Sequence, residues 1–338
     1  MKFAYFLRKL IFGYDSAIPC AWKLFLLQSA WIIPYLLVVN YLERSLLPLR
    51  LFCYTQNELL VVPKGEKINL RLCLQRFFST SQLQSVNHSK CLYKQPIKTL
   101  ITPKISHNQS KKIGVIRSAP SSRDYRDFIR KTYKSGLEPE IIVFFALGTG
   151  DYNPLNESEI YHDILQFDFV DSYHNLTLKM ISIYNELFNR FDNLQEILVI
   201  NDDILVNITA IKKLNSFENA TISGKVTRGF PRIILNSSKW YIPYEMYPKL
   251  CYPPFVQGGG FIITREAALR VIENICSFPS FYLDDVFMGI LANCLGIKME
   301  HINGFDKSYP SKFITFHHQW HRYSVKQLQL LYHTINYL

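Results

Sequence analysis

Apolar positions along the chain fall into runs of different length and period, and their order predicts an α/β domain behind one long uncharged segment. Residues 24–39 read LFLLQSAWIIPYLLVV without a charge. Carried on to Leu42, the run approaches the roughly 20 residues that cross a bilayer, and Pro34 is tolerated in a membrane helix. Residues 43–110 have weak periodicity and read as a stem. From Lys111 onward, strands and helices alternate. KIGVIR at Lys112–Arg117, EIIVFFAL at 140–147 and ILVI at 197–200 are continuous and apolar, the pattern of strands covered on both faces. Between them, 123–133, 157–167 and 176–191 read as helices, the last strongly amphipathic with Asn175 as its cap. Strands alternating with helices argue for a mostly parallel sheet. Beyond Asn207, 224–232 and 239–244 suggest short strands of an antiparallel edge pair. Three glycines precede an expected strand at 261–264, and 265–275 is helical. An apolar helix running to Leu295 then opens on two acids.

Composition narrows the setting. Hydrophobic residues make up 48% of the 338, enough for a sizeable core. The formal net charge of +11 is spread without a basic block, so no nucleic-acid partner is indicated; an anionic small substrate or a membrane surface suits it better. Lys2, Arg8, Lys9 and Lys23 precede the long apolar run against Asp15 alone, so the positive-inside rule puts the N-terminus in the cytosol. No small-x-small cleavage site follows, which favours a retained anchor over a cleaved signal peptide. The domains expected are a cytosolic tail at 1–23, a transmembrane signal-anchor at 24–42, a lumenal stem at 43–110 and a catalytic domain at 111–338. Asn-X-Ser/Thr triplets at Asn87, Asn108, Asn156, Asn175, Asn207, Asn219 and Asn236 all lie beyond the anchor, which agrees with a lumenal body. Asn175 and Asn207 fall inside motifs and are expected to stay unmodified. In an oxidising lumen Cys53, Cys73, Cys91, Cys251, Cys276 and Cys294 can pair, with Cys20 left on the cytosolic side; sequence does not choose the pairing.

The candidate chemistry centres on Asn201-Asp202-Asp203, which interrupts an apolar run that resumes at Ile204. Two adjacent carboxylates between buried segments are costly to desolvate without a compensating charge. A divalent cation supplies one and can also bind a diphosphate; the plain alternative is a strand-ending turn with Asp203 as a helix cap. Arg126 and Arg130 share one helix face after a strand and a loop, the place where open α/β sheets bind phosphates. Gly258-Gly259-Gly260 indicates close approach of another backbone or a ligand. Asp284 and Asp285 at a helix start are capping residues, or more than that.

Several stretches, taken in chain order, carry a family resemblance. Arg126-Asp-Phe-Ile129-Arg130-Lys-Thr132-Tyr133 is similar to R-x-x-I-R-x-T-W, and Glu157-Ser-Glu-Ile-Tyr161-His-Asp163-Ile-Leu to E-x-x-x-Y-x-D-I-I. Asp171-Ser-Tyr173-His-Asn175-Leu-Thr177-Leu-Lys179 matches D-S-Y-x-N-L-T-x-K, and Asn201-Asp202-Asp203 falls on D-D-D. Lys239-Trp240, Tyr252-Pro-Pro, Gly258-Gly-Gly-Phe and Asp284-Asp285-Val-Phe-Met-Gly289 match K-W, Y-P-P-Y, G-G-G-Y and E-D-V-Y-x-G. The ordered set, from about Lys112 to the C-terminus, resembles the β-1,3-galactosyl- and β-1,3-N-acetylglucosaminyltransferases, glycosyltransferase family 31. Asn201 departs from the first acid of the triplet and adds no charge, Tyr133 replaces Trp, and Leu283-Asp284 replaces a pair beginning with Glu in many members.

The resemblance implies a GT-A-type nucleotide-sugar-binding fold and a metal-dependent, inverting transfer of galactose or N-acetylglucosamine from a UDP-sugar to a glycan on protein or lipid. Mn²⁺ is the implied cofactor, on Asp202, Asp203 and a C-terminal His. Both His321, which aligns with the family's H-x-x-S, and His317, at the end of an apparent strand, are candidates. Arg126, Arg130, Lys179, Asn201 and Asp202 are implied in nucleotide-sugar binding, and Asp285 as the general base. Trp240, Tyr252, Gly258, Gly259, Gly260 and Asp284 would shape the sugar pocket. The implied address is the Golgi membrane, single-pass type II, with the body lumenal. A second copy of the chain is left open as a partner. The rival is a catalytically weak or inactive lumenal sugar-binding protein on the same fold.

Overall fold

The computed structural model describes residues 49–56, 69–104, 111–307, 312–317 and 322–336. The expected anchor at 24–42, Cys20, the sequon at Asn108 and His321 lie outside them. The chain divides into two compact units, 1–52 and 53–338; of the first, residues 49–52 are described and are helical. Among the described residues no helix is long and apolar enough to cross a membrane.

The second unit is built on one sheet of eight strands. In chain order the strands are β1 (Thr99–Ile101), β2 (Lys112–Arg117), β3 (Ile142–Thr149), β4 (Ile164–Val170), β5 (Glu196–Asn201), β7 (Thr221–Thr227), β8 (Phe255–Thr264) and β9 (Lys298–His301). A small second sheet pairs β6 (Leu205–Val206) with β11 (Thr315–Phe316), while β10 (Asn303–Asp306) leads from one to the other. The main order is β1-β4-β3-β2-β5-β8-β7-β9. β4, β3, β2 and β5 are mutually parallel, as expected. β8 runs antiparallel to β5 and β7, and β1 antiparallel to β4, so the sheet is mixed rather than mostly parallel. β8 passes the carboxyl end of β5 at Gly260 and finishes beside Glu196 at its start.

Period-two alternation divides the core. Val115, Ile197 and Val199 face one layer, with α1 (Leu70–Phe77), α5 (Leu176–Arg190), α7 (Arg265–Asn274) and α8 (Asp284–Leu295) packed there. Ile116, Leu198 and Ile200 face the other, covered by α3 (Arg123–Ile129), α6 (Ile208–Lys212) and α9 (Val325–Asn336). Both faces of the central strands are thus buried, which is why they read as unbroken apolar runs.

Three sequence readings are corrected. The helix expected over 157–167 is α4 (Leu155–Tyr161), stopped by His162 in the left-handed conformation (φ 55°), and Ile164 onward is β4. Ile164 and Leu165 are fully buried because β4 pairs with β3, a contact no local pattern reveals. The edge pair expected at 224–232 and 239–244 is absent: β7 ends at Thr227, and the segment beyond carries only the isolated bridge Pro231–Cys251 among described residues. The three glycines lie within β8 instead of preceding a strand.

The segment read as stem is tied to the body. β1 joins the sheet edge, α2 (Thr80–Ser85) opens with a capping box, and Cys53–Cys251, Cys73–Cys294 and Cys91–Cys276 are disulfides. Cys73–Cys294 closes a sequence separation of 221 between α1 and α8. Cross-links over long loops restrict the unfolded chain. Replacing both cysteines by Ser is expected to lower unfolding stability by about 2–5 kcal/mol, read as a drop in thermal midpoint under oxidising conditions. An unchanged midpoint would contradict that structural role.

Candidate active site

The carboxyl ends of β2, β3 and β5 form the edge where open sheets hold ligands. Register places Arg117 of β2 beside Asn201 of β5, and Ile200 beside Gly260 of β8. Arg117 is 5% exposed. Its Nε donates to Asn201 Oδ1 at 2.9 Å, Nη1 to Asp284 Oδ2, and Nη2 to the Gly258 carbonyl. One guanidinium therefore knits together the Asn-Asp-Asp turn, the glycine segment and the start of α8.

Asp285 follows Asp284 in the first turn of α8, where the helix N-terminus favours an anion. Its Oδ1 accepts from the Val286 amide at 2.7 Å. Burial, then the neighbouring Asp284 carboxylate, push its pKa up to about 7, against the holding effect of the Val286 amide, Arg117 and the Gly258 amide. Asp284 has Arg117 as its ion-pair partner; Asp285 has no such partner among the described residues. Tyr173, from the turn before α5, feels both acids, and burial with their charge raises its phenol.

On the other face of the glycine segment, the Asp306 carboxylate meets His317 Nδ1 at 2.7 Å. A Cβ on Gly259 would fall 2.5 Å from Asp306 Oδ1 and 2.9 Å from His317 Nδ1, so only glycine fits there. Burial works to lower the His317 imidazole, and the Asp306 hydrogen bond and charge, with Asp203 behind them, more than offset it. Asp203 thus lies in the electrostatic reach of His317, and is 9% exposed. Asp202 is deeper. Its Oδ2 accepts from Ser118 Oγ at 2.8 Å and its Oδ1 pairs with Arg322 at 2.7 Å. Burial raises its pKa, Arg322 opposes that, and Asp203 adds to it. Arg322 also lies over the Tyr125 ring at 4.1 Å.

Arg126, Arg130 and Lys179 face inward. Arg126 is fully buried; it makes a two-pronged pair with Glu157 at 2.8 and 2.7 Å and gives its remaining donors to Ser118 Oγ and the carbonyls of Ala119 and Pro120. Arg130 is held by Asp163, Glu157 and Asp127. Lys179 donates to Asp171 at 2.7 Å and to the Ser118 carbonyl at 3.0 Å, and burial lowers its pKa against the pull of Asp171. Buried cations require such partners, and a guanidinium with every donor engaged has none for a diphosphate. Arg126 and Lys179 brace the 118–120 loop beside Asp202. Tyr252 is likewise internal, 1% exposed, packed on Tyr247 and Phe255. Trp240 is half-buried with the Lys239 ammonium 4.7 Å from its ring.

Among the described residues no three His, Cys, Asp or Glu side chains cluster as a protein-only cage. Asp203 and His317 nevertheless fit a divalent ion completed by substrate phosphates: the Asp306–His317 bond has the carboxylate–histidine form that orients a ligating imidazole through its other nitrogen. Sequence reading missed Arg117, Asp306 and Arg322. Arg117 carried a faint signal, a basic residue closing an otherwise apolar strand run.

Comparisons with known proteins give the chain a family. Residues 124–303, more than half of the chain, match the family model described as Galactosyltransferase. A Xenopus laevis protein named lactosylceramide 1,3-N-acetyl-beta-D-glucosaminyltransferase A is 35% identical over 202 residues, 54% of this chain and 54% of that protein. The Homo sapiens protein named lactosylceramide 1,3-N-acetyl-beta-D-glucosaminyltransferase is 36% identical over 204 residues, 54% and 53% of the two chains. A Rattus norvegicus protein named UDP-GlcNAc:betaGal beta-1,3-N-acetylglucosaminyltransferase 7 is 34% identical over 210 residues, 56% and 53%. The chain spans about half the length of the relatives it matches. Among solved structures, the galactosyltransferase LgtC with donor and acceptor sugar analogues aligns at TM-score 0.37 and 10% identity, over 66% of this chain and 95% of that one. With the Asn-Asp-Asp turn, the glycine segment and the Asp284–Asp285 helix start all on or beside the matched span, the chain belongs to the galactosyltransferase family, glycosyltransferase family 31.

Proposed function

We propose that the chain transfers a hexose, N-acetylglucosamine or galactose, from a UDP-sugar to a glycan hydroxyl in β-1,3 linkage, with inversion, on a GT-A-type fold. The observation that carries this reading is Asp285, a carboxylate beside Gly258 whose pKa burial and Asp284 push up to about 7, with the Asp306–His317 pair at Gly259 and Asp203 in the electrostatic reach of His317. The glycine backbone lets the acids of α8 and the Asp306–His317 pair approach the strand closely. Asp285 accepts the acceptor hydroxyl proton as that oxygen attacks the anomeric carbon from the face opposite the diphosphate. The bond from that carbon to the diphosphate oxygen breaks, UDP leaves, and an α-linked donor yields a β-linked product. Mn²⁺, suited to a mixed oxygen–imidazole set, would take up the diphosphate charge on Asp203 and His317, with Asp202 and His321 as further expected ligands. Arg117 holds Asp284 in place beside Asp285, and Arg322 holds Asp202.

N-acetylglucosamine is the favoured sugar, because the relatives cited are named N-acetylglucosaminyltransferases. A lactose-terminated glycolipid is the favoured acceptor on the same ground. The setting proposed is the Golgi lumen behind a type II anchor at 24–42. Three disulfides suit an oxidising compartment. The test is a donor screen of the full chain in detergent with Mn²⁺, reading release of UDP. UDP-N-acetylglucosamine with a lactosyl acceptor is expected to give acceptor-dependent release above that with UDP-galactose. Absence of release from either donor would overturn the reading and leave the sugar-binding alternative.

A further inference from the structure

Two adjacent acids open α8, and they have the same chemistry, the same helix terminus and neighbouring positions in the first turn. Something outside the helix must make them differ. The side chain that does so is Arg117, the last residue of β2, two strands from β8 in the sheet. Its guanidinium meets Asp284 Oδ2, the Gly258 carbonyl and Asn201 Oδ1 at once, with side chains 4% and 11% exposed for Arg117 and Asp284. A planar fork with fixed donor directions can satisfy three acceptors on three elements only if all three are held in register. Asn201 contributes no charge to this set, so Asp284 is the one carboxylate that Arg117 pairs with among the described residues.

We infer that Arg117 is the positioning residue that divides the labour between the paired acids, pinning Asp284 as its counter-ion against β2 and β8 and leaving Asp285 turned to the acceptor as the proton-accepting group. The inference rests on the reading of Asp285 as the base. The groups that face Asp285 are Asp284 on its own helix, Arg117 from β2, the Gly258 amide from β8, Tyr173 from the turn before α5 and Tyr252 before β8. Of these, Asp284 raises its proton affinity and Arg117 lowers it, with the Asp284 effect the larger. The two therefore make separable contributions.

The direct test is a carboxyl ¹³C NMR titration of the full chain labelled at Asp, with Asp285 assigned from the signal lost in Asp285→Asn. The chain as it stands is expected to show Asp285 titrating about 7. Arg117→Met removes the cation and should move that midpoint upward. Arg117→Met with Asp284→Asn removes both partners, leaves no unpaired buried charge to threaten folding, and should move the midpoint below that of the parent. The same double variant is expected to bind UDP with Mn²⁺ within about threefold of the parent, since Asn201 loses only one neutral contact while the Ser118 and Arg322 contacts of Asp202 and the Asp306 contact of His317 stay in place. Its kcat should fall about tenfold or more with little change in acceptor KM, roughly 1.4 kcal/mol per tenfold. Unmoved Asp285 midpoints in both variants would overturn the inference whether or not the chain transfers sugar. A chain that transfers no sugar yet shows these shifts would refute the functional reading alone. Shifted midpoints with parental kcat would overturn the division of labour.

Discussion

Asp285→Asn is expected to remain folded, to bind UDP with Mn²⁺ nearly as the parent does, and to lose glycosyl transfer by roughly 10²-fold or more. Asn caps a helix about as well as Asp, so a purely structural Asp285 would tolerate the change. An amide has no useful basicity, so a base would not. The pH dependence sharpens the test. Transfer needs Asp285 as carboxylate, and its folded pKa lies about 7, above the ordinary value near 3.9. Parental kcat/KM should therefore rise as pH increases through about 7 and flatten above it, while the residual activity of the Asn variant lacks that limb. The sign for stability is opposite to activity. A carboxyl with a raised folded pKa destabilises the fold once it is ionised, absent below the unfolded pKa and fully present above the folded one. At pH 8 Asp285→Asn is thus expected to melt no lower than the parent. Near-parental transfer by this variant would remove Asp285 from the mechanism, and Asp284→Asn should be milder.

Asp203→Ala is expected to reduce transfer by about 10³-fold or more, some 4 kcal/mol of barrier, and to abolish the Mn²⁺ dependence of UDP binding. Asp203 is the acid of the triplet with no side-chain hydrogen bond among the described residues, whereas both oxygens of Asp202 are taken by Ser118 and Arg322. It is also the one that acts on His317. Removing it deletes a charged group next to the diphosphate without disturbing the Arg322–Asp202 pair, so the melting temperature should change little. Calorimetry of UDP binding with and without Mn²⁺, on the same preparation as the rate, separates loss of the cation from loss of fold. Retained Mn²⁺-dependent binding would move the cation elsewhere.

What the sequence disclosed and what it withheld have physical causes. β5 and α8 were legible because each announces itself locally: an apolar run cut off at Asn201-Asp202, and two acids ahead of an uninterrupted apolar helix. β4 was not, because Ile164-Leu165-Gln166-Phe167 is compatible with a buried helix until β3 pairs with it. The fates of Arg126 and Arg130 were hidden for a different reason. Their acid partners, Glu157 and Asp163, stand 31 and 33 positions away, and only the packing of α4 and the start of β4 against α3 turns two basic side chains on one helix face into buried ion pairs. Arg117 shows the same limit more strongly, since its partners are 84, 141 and 167 positions distant. Long-range electrostatic closure is what one chain read alone does not display.

The central claim is single displacement at the carboxyl edge of the sheet, with Asp285 as the base. It is tested most directly by ¹H NMR of the first product formed from an α-linked UDP-N-acetylglucosamine and a lactosyl acceptor. The account predicts a new β-linked anomeric proton and substitution at the 3-position of the terminal galactose, both missing with Asp285→Asn. An α-linked product, or a β-linked one formed equally well by Asp285→Asn, would contradict it.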